Sequence, residues 1–143
     1  YILESIYNIS KNVKEENSEW KKSISKGAEF YYRNQFFPDG RSLWSFISKH
    51  KPHILSAYVE ESWDPNCIPG KSHWARTNLG IAPGRINLVK RVQKQNYAKV
   101  VGQPAVLIDD YKKNTDQFTQ RGGIGILHTS TSNTIRELKK LGF

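Results

Sequence analysis

Apolar positions recur at helical intervals over the first fifty residues and gather into short runs after that. Ile2, Ile6, Ile9 and Val13 share one helical face, a polar run over 14–19 interrupts them, and Trp20, Ile24 and Ala28 resume at four-residue spacing. Aromatic rings crowd the segment 30–37, and most of them are expected in a core, with a minority walling a pocket. Pro38-Asp39-Gly40 is a turn signal, and Asp39 is placed to cap the next helix. That helix is expected over about 41–49, with Leu43, Phe46 and Ile47 on one face.

From residue 51 the pattern alternates. Short strands are expected near 53–56, 86–89, 105–108 and 124–127. Between them lie a Pro-containing loop over 58–70, a helix over 71–79 stopped by Gly80, and a short helix or turn around 93–99. Asn114 is placed to cap a helix reaching Gln120, which Gly122-Gly123 ends. Thr131 or Ser132 is placed to cap a last helix whose inner stripe is Ile135, Leu138 and Leu141. Strands alternating with helices imply an α/β fold with a parallel sheet. The chain divides into a mainly helical part, 1–50, and a sheet-bearing core, 51–143, within one compact domain.

Ala105 to Ile108 are apolar on both faces, which suits a strand buried between two layers, and they run straight into Asp109 and Asp110. Ligands of parallel sheets gather outside the carboxyl ends of the strands. Two adjacent carboxylates repel each other, so they belong either in a solvated acidic turn or around a hard divalent cation.

Composition narrows the classes. With 143 residues the chain can build a real core. No apolar run approaches the ~20 residues of a membrane helix. Cys67 is the sole cysteine, which excludes an internal disulfide and fits a reducing, cytoplasmic setting. His50, His53, His73 and His128 lack metal-ligand spacing. The formal net charge of +9 favours anionic partners such as phosphate esters, nucleotides or nucleic acid, although most of the lysines are those of an ordinary solvated surface.

Three pieces fall in a suggestive order: Ile54-Leu-Ser56, Gly70-Lys-Ser-His-Trp74 and Leu107-Ile-Asp-Asp110. This order resembles the second, third and fourth motifs of the haloacid dehalogenase-like phosphohydrolases, and among them the small 5'(3')-deoxyribonucleotidase-like members, many of them phage or bacterial. Phe37-Pro-Asp-Gly-Arg-Ser-Leu-Trp44 is similar to the end of that group's small helical cap, and 122–128 with Asn133-Thr-Ile135 to its carboxyl-terminal end. The resemblance implies a three-layer, Rossmann-like parallel sheet with a small helical cap. It implies that Ser56 and the adjacent Ala57 bind a phosphoryl group, that Lys71 neutralises that group and the nucleophile, and that Asp109 and Asp110 hold Mg2+. Asn114 would orient the acidic loop. Phe30, Tyr31 and Phe36 would support a base or sugar, and the substrate would be a nucleotide or similar phosphomonoester.

The family's chemistry begins on a strand carrying Asp-x-Asp, whose first carboxylate attacks phosphorus. Asp39, Asp64, Asp109, Asp110 and Asp116 are the aspartates of this chain, and none forms that motif. In the family the strand is central, so about a dozen residues of inner sheet are expected to be absent ahead of Tyr1. A complementing segment or a swapped dimer would then complete the fold. The expected function is a Mg2+-dependent, nucleotidase-like phosphatase that turns over only when this strand is supplied. The alternative is an inactive relative that binds a phosphate compound or nucleic acid.

Overall fold

The computed structural model describes residues 39–143. Expectations that fall on earlier residues, including a cap built from Trp20, Phe30, Tyr31 and Phe36, lie outside them.

Helix α1 (Gly40–Ile47) continues as a 3-10 turn (Ser48–His50) into strand β1 (Ile54–Ala57). Helix α2 (Cys67–Leu79), a 3-10 turn (Pro83–Arg85) and β2 (Ile86–Val89) follow. A 3-10 helix (Arg91–Tyr97) leads into the hairpin β3 (Lys99–Val100) and β4 (Gln103–Pro104), then β5 (Val106–Asp109). Helix α3 (Lys112–Gln120), β6 (Ile124–Leu127) and α4 (Thr131–Lys140) complete the order.

β1 pairs in parallel with β2, setting Ser56 beside Leu88, and β5 pairs in parallel with β6, setting Asp109 beside Leu127. The described strands therefore make two parallel pairs that alternate with helices and one short antiparallel hairpin, β3 with β4, in place of the single extended sheet the sequence suggested. Both pairs bury side chains on two sides, as alternation along a strand requires. Ile54 and Ile108 join a core with Leu43 and Ile47 of α1, Trp74, Ala75 and Leu79 of α2 and Leu138 of α4. Their neighbours Leu55 and Leu107 join a second core with Ala98 and Phe118. The apolar run before the acid pair is buried on both sides for this reason.

Several ends differ from expectation. Asp39 precedes α1 but makes no side-chain cap there; its carboxylate accepts from the Thr131 backbone N–H at 2.8 Å, serving the start of α4 instead. Ser130 is the cap of α4, its hydroxyl accepting from the Asn133 N–H, so Thr131 and Ser132 are already helical. α2 begins at Cys67, so Lys71 sits in its second turn rather than at its start. Pro69 hid that start, because proline reads as a loop signal but is tolerated in a first helical turn. Asn114 lies inside α3 and is buried. Leu141 lies just past α4 and is exposed, which leaves the stripe to Leu138 with partly buried Ile135.

Two positions show the backbone dictating the residue. Gly80 ends α2 in the left-handed conformation, φ 62°, as expected. A Cβ on Gly125 would come within 2.5 Å of the Thr115 carbonyl oxygen, so α3 lies against β6 only because glycine stands there.

Candidate functional site

At the carboxyl end of β1, Ser56 is fully buried and Ala57 half-buried. The chain leaves through a loop and returns as α2, whose second turn carries Lys71 back to the strand. Trp74, Ala75 and Leu79 anchor α2 in the core, and this fixes the angle from which Lys71 arrives. Its ammonium donates to the Ser56 hydroxyl at 3.1 Å and to the Ala57 carbonyl at 2.5 Å. Lys71 is 6% exposed, so a formal cation is held inside the protein at a strand end beside a hydroxyl. These two residues, expected together, are together.

The corresponding end of β5 is a network of polar side chains. Asp109 is 1% exposed. One of its oxygens accepts from the Tyr111 backbone N–H at 2.9 Å. The other accepts from the Asn114 side-chain amide at 2.7 Å and faces the Lys94 ammonium at 3.4 Å. Arg91 donates to the side-chain oxygens of both Asn114 and Gln117, at 3.1 and 3.0 Å, which fixes the Asn114 amide with its nitrogen toward Asp109. Asn114 thus orients the acidic loop from within α3. Asp110 is half-buried.

Lys94 was not legible as a site residue. It is buried in the 3-10 helix, which packs on β1 and α3. The signal that could have found it is a period of three: Arg91, Lys94 and Tyr97 line one side of a helix with three residues per turn, and Val92, Gln93 and Asn96 are exposed. A search tuned to the α-helical period passes over such a stripe.

His128 follows β6 on the same side. Its backbone N–H donates to the Asp109 carbonyl at 2.8 Å, and its Nδ1 lies 2.7 Å from the Thr134 hydroxyl. Burial lowers its pKa below 6.5, against a smaller upward pull from the charges of Asp39 and Asp110. The imidazole is therefore neutral at pH 7. Burial pushes Asp39 up, but hydrogen bonds from Thr131 and the nearby His128 leave its carboxyl net below the ordinary value.

No protein-family model, curated protein or solved structure matches this chain.

As a metal site, the acid pair offers hard oxygen donors. No group of three or more His, Cys, Asp and Glu that could hold a metal occurs among the described residues. Mg2+ commonly takes only one or two carboxylates and completes its shell with water and substrate phosphate, so two adjacent aspartates fit it. Both oxygens of Asp109 already receive protein donors. No helix among the described residues is long and apolar enough to cross a membrane.

Proposed function

We propose that the chain carries the phosphate-holding and metal-holding half of a Mg2+-dependent phosphomonoesterase of the haloacid dehalogenase type, acting on a nucleotide or similar phosphate ester. The observation that carries this reading is the buried contact between Lys71 and Ser56, 15 residues apart, at the end of a parallel strand. Isolated, a serine and a lysine are unremarkable; here α2 is anchored in the core so that they meet where parallel sheets bind ligands. The acid pair at the end of β5 supports the same reading.

Ser56 donates its hydroxyl to a phosphoryl oxygen, and Lys71 neutralises the charge that accumulates there. Asp110 and Asp109 would hold Mg2+, which would supply positive charge to offset that of the phosphate. Lys94 holds the Asp109 carboxylate in place. Attack on phosphorus needs a carboxylate from an Asp-x-Asp strand, and the division into two parallel pairs supports a place for that strand between β1 and β5. The P–O ester bond breaks as the carboxylate oxygen bonds phosphorus, the leaving alkoxide takes a proton from the second aspartate, and water then hydrolyses the acyl phosphate.

The test is phosphate release from a panel of nucleoside monophosphates. Residues 1–143 fused behind an Asp-x-Asp strand are expected to release phosphate with Mg2+. The same fusion with the first aspartate changed to asparagine is expected to fold but not turn over. Release by residues 1–143 alone, abolished by Asp109→Asn, would mean that the nucleophile is misassigned. A folded fusion that binds phosphate without turnover would favour the inactive binding module.

A further inference from the structure

Helices α1 and α4 finish beside each other at the amino ends of the strands, since α1 leads into the start of β1 and α4 runs back from the end of β6. This surface is therefore at the opposite end of the strands from Ser56 and Asp109. Phe46 of α1 is half-buried against the first core. The Lys49 ammonium lies 5.3 Å from the centre of its ring and the Lys139 ammonium 6.0 Å, so two cations from two segments share one ring. Lys139 also lines a shallow groove along α4 with Ser132, Ile135, Arg136 and Lys140. Just past α4, Phe143 packs against His50 with ring centres 5.1 Å apart, and it is 42% exposed. Glu137 is the acid of α4, and it pairs with Lys140 at 3.0 Å. Among the described residues no carboxylate pairs with Lys49, Arg136 or Lys139, and all three are exposed. The two helix ends supply about half a negative charge each, which leaves most of this positive charge unanswered.

We propose that this surface binds single-stranded nucleic acid, with phosphates along Lys49, Arg136, Lys139 and Lys140 and a base against Phe143. Cations interleaved with an exposed ring give a single strand what it needs, a charged track for its backbone and a flat face for a base. A protein partner is a poorer match, because lysine is depleted at the centre of protein interfaces and here it occupies the centre. The inference does not rest on the phosphate-site reading, which concerns the other end of the strands.

The experiment is fluorescence anisotropy of a labelled single-stranded oligonucleotide of mixed sequence, titrated with residues 1–143 over a range of salt. Affinity is expected to fall with salt, with a log–log slope of about −2 to −3 for three to four phosphates neutralised. The double variant Lys49→Gln, Lys139→Gln is expected to bind about tenfold more weakly at low salt and to lower the magnitude of that slope by about one. The double variant Lys112→Gln, Lys113→Gln removes the same formal charge from α3, on the other side of the sheet, and is expected to bind almost as the unaltered chain does. Phe143→Leu is expected to cost about fivefold and leave the slope alone. Equal losses in the two lysine pairs would reduce the effect to net charge and overturn the proposal, as would the absence of binding at low salt. Displacement of the strand by inorganic phosphate at matched ionic strength would place it on Lys71 and also overturn the proposal. Polyglutamate competing as well as unlabelled oligonucleotide would overturn it in favour of an acidic protein partner.

Discussion

Ser56 and Asp109 end two parallel strands and are equally buried, yet the chain supports them by different means. At the β1 end a cation is satisfied by neutral oxygens, a hydroxyl and a carbonyl. At the β5 end an anion is surrounded by donors: a backbone N–H, an amide held by Arg91, and a buried ammonium. On the proposed reading, the first arrangement would present positive charge to an incoming anion. The second spends its charge internally and so serves as scaffold. On the proposed reading the β1 end would carry ligand affinity and the β5 end stability.

Substitutions should separate the two roles. Lys94→Met leaves the Asp109 carboxylate buried without its cation, and the loss is expected to reach about 3–5 kcal/mol in denaturant unfolding. Lys71→Met removes the donor to the Ser56 hydroxyl and the Ala57 carbonyl, and the cost should be smaller, about 1–3 kcal/mol, while phosphate binding disappears. Equal losses of stability in the two variants would erase the distinction.

Asp39→Ala probes how far the β5 side depends on α4. Removing the carboxylate that accepts from Thr131 should cost about 1 kcal/mol, as for a lost helix cap. His128 gives the smallest effect, read through pH. Its folded pKa lies below 6.5, so the fold favours the neutral ring. The resulting stability is present above about 6.5 and is lost as pH falls through the folded value. His128→Asn should therefore flatten the decline of Tm between pH 7 and pH 5; an unchanged slope would place the pH dependence elsewhere, with His53 the next group to test.

Periodicity made the strands legible. The stretches 86–89 and 124–127 coincide with β2 and β6, and the run 105–108 differs from β5 by one residue. Apolar residues on both faces were a sound sign of two cores, as Leu107 and Ile108 show by entering different ones. The β3–β4 hairpin escaped notice because Gly102 and Pro104 read as loop. Its tip also sets the β-branched Val101 at φ 49°, a conformation no propensity would select. Ser56 and Lys71 were legible through order and spacing, whereas Lys94 and Arg91 act through a 3-10 stripe and contacts that form only when distant elements pack.

The central claim is that both strand ends serve one ligand. It is tested most directly by titrating inorganic phosphate into residues 1–143 with and without Mg2+, and repeating the pair of titrations in Lys71→Met and Asp110→Asn. The account predicts that Mg2+ tightens phosphate binding, that Asp110→Asn removes the tightening but leaves weaker binding, and that Lys71→Met abolishes binding under both conditions. Phosphate affinity indifferent to Mg2+ and unchanged in both variants would contradict it.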